Sequence, residues 1–176
     1  VLNYVGFSRG VLKLLCKKNI FAIVQQVKSR INFEQISTKP LNKLLDFQKL
    51  AVKKIKHNFL NKNVCLLHGI TSSGKTEVYI HLINEQINAG KQVLYLLPEI
   101  ALTTQIIKRL KVFFGNRITV AHSNLNNSER VEIWKYLRKN SEQKNKIIIV
   151  LGARSALFLP YDDLGLIIVD EEHDSS

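Results

Sequence analysis

Residues 64–76 read VCLLHGITSSGKT, and Gly69, Gly74, Lys75 and Thr76 stand there at the spacing of a phosphate-binding loop. The spacing has a physical reason. Phosphate oxygens must come close to backbone N–H groups, so side chains are minimised at Gly69 and Gly74, while Ile70, Thr71, Ser72 and Ser73 span the turn between them. A helix beginning after Gly74 aims its unpaired N–H groups and the positive end of its dipole at the anion. Lys75 adds a point charge at the outer phosphates, and Thr76 offers a hydroxyl to Mg²⁺. A second cluster follows the apolar run LIIV at 166–169, which opens into Asp170 and Glu171. An Asp at a strand's carboxyl end can hold Mg²⁺ by way of water, as partner to Thr76, and the next Glu can orient or deprotonate an attacking water.

Each feature alone has an ordinary explanation, a Gly/Ser-rich turn in the first case and an acidic surface turn in the second. Together they imply a nucleoside triphosphate site with the means to hydrolyse it.

The elements that must position these groups follow from hydrophobic spacing. An apolar strand from Val64 leads into the loop, and Val78, Ile80, Leu82, Ile83 and Ile87 stripe the helix after it, which stops at Ala89-Gly90. The run at 92–97, bounded by Pro98, predicts a strand buried on both faces. A helix from Thr103 or Thr104 to Phe114 stops at Gly115, a strand covers 118–121, and Asn126 or Asn127 caps a helix carrying Val131, Ile133, Trp134 and Leu137. Strands at 146–151 and 164–169 complete a set of five. The alternation predicts an α/β fold, a mostly parallel sheet with helices on both faces.

Before the loop the pattern differs. Ser8 can cap a basic helix with Val11, Leu12, Leu14 and Leu15 as its apolar positions, Asn19 stops it, and residues 20–27 cluster like a strand. A helix followed by a strand matches the second half of a winged-helix module. Residues 37–40 form a linker ending at Pro40, and residues 41–60 carry helical spacing. The expected domains are therefore a partial winged-helix-like segment at 1–36, the linker at 37–40, and an α/β lobe at 41–176.

Composition narrows the class. The chain has 176 residues, 45% of them hydrophobic, and no apolar run approaches the ~20 residues of a membrane span. Cys16 and Cys65 form no metal or disulfide spacing, so a reducing, cytoplasmic setting is expected, without a membrane. The absence of Met, with both ends lying close to apparent structure, predicts a piece of a longer protein. The net charge of +12 is lopsided: residues 1–63 hold 13 Lys and Arg and 2 acids, residues 64–176 hold 13 and 12. That asymmetry suggests a polyanion partner, nucleic acid first and acidic lipid second, against the ordinary alternative of solvated lysines on helix faces.

Four segments in one order, GITSSGKTEVY at 69–79, LPEIALT at 97–103, GARSALF at 152–158 and DEEHDSS at 170–176, resemble the bacterial replication-restart helicases of superfamily 2, the PriA family. The resemblance covers residues 40–176 closely and 1–36 loosely. It implies a RecA-like P-loop NTPase lobe, the first motor lobe of an ATP-dependent 3′-to-5′ DNA helicase, truncated at its C-terminal end. In that reading Lys75 and Thr76 contact phosphate and Mg²⁺, Asp170 is the second metal-side group, and Glu171 activates water. Gln48 resembles the glutamine that reads the adenine edge; Thr103, Arg154 and Ser155 match segments that touch the single-strand backbone; His173 couples nucleotide state to DNA. ATP and Mg²⁺ are the implied cofactors, with zinc only in the missing C-terminal part. Single-stranded and forked DNA, primosome components and single-strand-binding protein are the implied partners, with a monomer as the expected state. Ser72 departs from the family's frequent Gly; if that position needs positive φ, the cost is about 1 kcal/mol. Two other classes stand beside this one: a non-catalytic DNA-binding or loading module with an incomplete ATPase, and a P-loop kinase or transport ATPase, which the segments at 97–103 and 152–158 do not support. The isolated segment is expected to bind ATP weakly and turn it over poorly.

Overall fold

The computed structural model describes residues 9–22, 38–70, 73–98, 104–122, 125–138 and 148–170. It contains helices α1 (Arg9–Lys17), α2 (Asp46–Asn58), α3 (Lys75–Asn88), α4 (Thr104–Phe114) and α5 (Asn127–Arg138). Strands β1 (Gln92–Leu96), β2 (Ile118–Ala121), β3 (Ile149–Gly152) and β4 (Leu164–Val169) form one sheet in the order β2-β3-β1-β4. Every neighbouring pair is parallel.

The two faces of the sheet separate by residue parity, as pleating requires. Val93 and Tyr95 of β1, with Ile149 and Leu151 of β3, pack against Ile80, Ile83 and Ile87 of α3 and Leu110 and Phe114 of α4. Leu94, Leu96 and Val150 face the other way, onto Ile133 and Leu137 of α5. Both faces of β1 are therefore covered, which is why its five residues are all buried and read as a continuous apolar run. The α/β expectation, with a mostly parallel sheet and helices on both faces, holds. A third cluster joins Val52 and Ile55 of α2 to Val78 and Leu82 of α3, so α2 rides on the lobe.

Several stops lie where the residues placed them. Asn19 closes α1 at φ 57, Gly90 follows α3 at φ 76, and Gly115 follows α4 at φ 59, the left-handed conformation that ends helices. Asn126 Oδ1 accepts from the Glu129 N–H at 2.9 Å while Glu129 Oε2 accepts from the Asn126 N–H at 3.0 Å, a reciprocal capping box that starts α5.

Three expectations differ. The strand from Val64 is not part of the sheet: Cys65, Leu67 and Gly69 are half-buried and alternate with exposed Val64, Leu66 and Ile70, but none of them joins a ladder. Hydrophobic alternation extends a segment; only a partner's backbone makes it a strand. The helix expected over 41–60 begins at Asp46, because Leu45 is extended (φ −69°, ψ 160°) and its N–H is held by Gln48 Oε1 at 2.8 Å. Leu41 and Leu44, which supplied the early apolar positions, pack on the core from outside the helix. Residues 20–22 are not strand, and Ser8 and the rest of the 20–27 segment lie outside the described residues.

Candidate nucleotide-binding and catalytic site

The loop is built on two glycines set close against neighbouring side chains. Gly74 stands at φ 81 immediately before α3, and a Cβ there would run into the Gln48 amide. A Cβ on Gly69 would meet Ser73 Oγ at 2.8 Å. The Ser73 N–H donates to the Ile70 carbonyl at 3.2 Å and draws the turn closed. Helical bonding to Gly74 O starts at Glu77 and Val78, so the N–H groups of Lys75 and Thr76 have no intrahelical acceptor. Lys75 folds back over this turn, donating from Nζ to Gly69 O at 2.5 Å and Ile70 O at 3.3 Å. Ser73 Oγ is buried without a hydrogen-bond partner among the described residues.

These features fit a phosphate chain. Orphan N–H groups, a buried hydroxyl with unused capacity among the described residues and an ammonium held by loop carbonyls all converge on one turn. The half-buried Thr76 follows one residue into the helix.

Gln48 is buried at the back of the loop, 5% exposed. Its Nε2 donates to Gly74 O at 3.3 Å while its Oε1 caps α2, so both ends of the amide are engaged in bracing the turn.

Asp170 follows β4, and its N–H donates to Leu96 O at 3.0 Å, carrying the β1–β4 ladder one step further. Asp170 Oδ2 accepts from the Tyr95 hydroxyl at 2.7 Å. Tyr95 is fully buried in β1; burial first, then the neighbouring Asp170 charge, push its hydroxyl far above the ordinary phenol range. It is therefore a permanent neutral donor. Its ring meets that of Tyr79 edge to face, centroids 5.9 Å apart at 86°. Tyr79 lies one turn past Lys75 on α3, so packed rings and one hydrogen bond run from the helix that starts at the loop to the carboxylate at the strand end. Glu77, in the first turn of α3, pairs with Arg109 of α4 at 2.6 Å, which anchors the helix start from the side.

Sequence reasoning missed Tyr95. The available signal was a lone tyrosine among the Val and Leu residues of a buried strand, whose hydroxyl must find a partner.

Arg154 and Ser155 are exposed on a 3₁₀ turn, Arg154–Phe158, directly after β3. In a parallel sheet that turn, Asp170 and the end of β1 share the carboxyl edge, where ligands of such sheets gather. Thr71, Ser72, Thr103, Glu171 and His173 lie outside the described residues. Among the described residues no three His, Cys, Asp or Glu side chains cluster as a metal site, Cys16 and Cys65 are free, and no helix is long and apolar enough to cross a membrane.

Comparison with known proteins supplies a family. Residues 46–176 match the DEAD/DEAH box helicase family. The chain is 40% identical over 178 residues to the replication restart protein PriA of Synechocystis, with all of this chain covered and 21% of that protein. It is 36% identical over 181 residues to the protein of the same name from Bacillus subtilis, covering 92% of this chain and 22% of the relative. The Haemophilus influenzae PriA is 51% identical over 114 residues, 65% of this chain and 15% of the relative. The chain thus spans about a fifth of the length of the first two relatives.

Proposed function

The chain belongs to the DEAD/DEAH box helicases, and from that premise we propose that it is the ATP-binding lobe of a replication-restart DNA helicase. What carries the ATPase part of this reading is the link from α3 through Tyr79 and Tyr95 to Asp170, which ties the loop's helix to the strand-end carboxylate.

In this reading the triphosphate lies against the N–H groups of residues 69–76. Lys75 exchanges the carbonyls of Gly69 and Ile70 for phosphate oxygens, and the orphan Ser73 hydroxyl gains a partner. Thr76 and Asp170 would hold Mg²⁺, which would supply neutralising charge to the phosphoryl oxygens. Glu171 orients the water for in-line attack, and fixed donors stabilise the charge that develops. Tyr95 keeps one carboxylate oxygen of Asp170 occupied and so sets which oxygen faces the site. Gln48 holds the loop from behind and, in the adenine-reading role, would give up one of its present hydrogen bonds. Arg154 and Ser155, with Thr103, contact the single-strand backbone, and His173 couples the two sites. Backbone contacts suit a motor that steps along any sequence.

The finer proposals are 3′-to-5′ polarity, forked DNA as substrate, primosome and single-strand-binding partners, a monomeric state and a cytoplasmic location. Zinc, in a part of the full-length protein beyond the residues of this chain, is a proposal of the same kind. For the segment alone, weak ATP binding without efficient turnover is expected.

Lys75→Ala in the full-length protein tests the core of the proposal. ATP turnover should be abolished while fork-DNA binding is largely kept; retained turnover would sink the assignment.

A further inference from the structure

At the carboxyl ends of β2 and β3, the side of the sheet away from Asp170, a cleft of about 560 Å³ opens between α5 and the 3₁₀ turn. Its walls are mainly apolar and include Val131, Trp134, Phe158 and Leu159, with Lys135 and Ser155 at its border. Phe158 is 88% exposed, the most solvent-exposed large hydrophobic side chain among the described residues. Trp134 is 43% exposed, and the Arg138 guanidinium sits 4.8 Å from its ring centroid. An open aromatic pair is not what packing of the lobe requires, since Ile133, Leu137 and Ala156 beneath it already close the core.

We propose that this cleft takes an unstacked base of single-stranded DNA, with Phe158 and Trp134 as its stacking surfaces. The inference rests on the helicase reading and goes beyond backbone contact at Arg154 and Ser155. Three observations favour nucleic acid over an apolar protein segment. Aromatic faces beside cations are the combination that binds single strands, because every base has a π-face and every linkage a charge. Arg130, Lys135 and Arg138 on α5, with Arg154 at the head of the turn, outnumber Glu129 and Glu132 of α5, and Glu129 is turned to its capping box. Finally, Ser155 itself lines the cleft, so a strand whose backbone lies on Arg154 and Ser155 would have its bases within reach of it. Stacking in such a place reads no sequence, as a translocating motor requires, but it adds a grip on the strand that phosphate contacts lack.

The test compares a short oligothymidylate with an abasic strand of the same length, both binding to the full-length protein by fluorescence anisotropy. Phe158→Ala should weaken the oligothymidylate roughly 5- to 150-fold, leave the abasic strand unchanged, and be rescued by Phe158→Tyr. Trp134→Ala should act in the same direction. Unchanged oligothymidylate affinity in both alanine variants overturns the proposal. Equal weakening of both strands also overturns it, since that is a backbone or structural effect. Failure of the helicase reading is separately visible, as wild-type protein that neither binds the strands nor turns over ATP.

Discussion

Tyr95→Phe removes one oxygen atom and isolates the contribution of the link to Asp170. The ring stays, so its edge-to-face contact with Tyr79 and its packing in β1 are preserved. What is lost is a 2.7 Å hydrogen bond to a carboxylate. Bonds to charged groups contribute ~1.5–3 kcal/mol net, and because Asp170 is only half-buried a water can replace the donor, which brings the stability loss below that range, to about 1 kcal/mol. The functional effect should exceed that. Removing the hydrogen-bond partner of a metal-side ligand costs roughly 10–100-fold in metal affinity or activity. Asp170 is proposed to reach Mg²⁺ through water, so the loss belongs near about 10-fold. The assay is the Mg²⁺ dependence of ATP turnover at saturating ATP in the full-length protein, with calorimetric titration of ADP in the presence and absence of Mg²⁺. The half-saturating Mg²⁺ concentration should rise about 10-fold while metal-free ADP binding stays as it was. An unchanged Mg²⁺ requirement in a variant as stable as wild type would refute the role assigned to Tyr95. A loss of ADP binding without metal would show that the hydroxyl supports the loop and not the carboxylate.

Two further outcomes follow from the same region. Gly74→Ala places a Cβ at φ 81 and against the Gln48 amide; it should lower stability by about 2 kcal/mol and abolish nucleotide binding by the full-length protein, with Gln48→Ala relieving part of the loss in a double-mutant thermal-melt cycle. Alkaline pH should destabilise the fold, because burial raises the phenols of Tyr95 and Tyr161. Below the unfolded tyrosine range of about pH 10 neither state ionises and nothing is lost. Above it the unfolded chain releases protons that the native state retains, so Tyr95 alone removes about 1.4 kcal/mol of stability per pH unit. Tyr161, more open to solvent, adds less. Urea titrations between neutral and strongly alkaline pH should show this slope in wild type and a smaller one in Tyr95→Phe; equal slopes would contradict it.

What could be read from the residues and what could not divide along a physical line. Helix ends are local, so Asn19, Gly90, Gly115 and the Asn126 cap were legible from residue type alone. The two glycines of the loop were legible because their requirement is also local. Pairing is not local. The apolar residues from Val64 resemble the run at 92–97, yet only the latter finds neighbours on both sides. The start of α2 was placed five residues early because Leu41 and Leu44 face the core without being helical. Tyr95 and Asp170 are 75 residues apart, so no spacing rule links them. Phe158 reads as one more apolar residue in GARSALF until its exposure is known.

The strand order also governs how this chain is made. β1 and β2 are consecutive in the sequence, but β3 lies between them in the sheet and pairs with both. As the polypeptide leaves the ribosome, neither β1 nor β2 has a partner strand among the described residues until Ile149–Gly152 emerges. The loop and α3 are synthesised before the sheet that supports them, and while Val78 and Leu82 can already pack on α2, the sheet-facing Ile80, Ile83 and Ile87 must wait for it. β3 is thus a keystone: its four residues, all buried, convert three separate segments into one sheet, and β4 then adds to the open side of β1. The hydrogen bond from Tyr95 can form only after β4 has been made and Asp170 follows it.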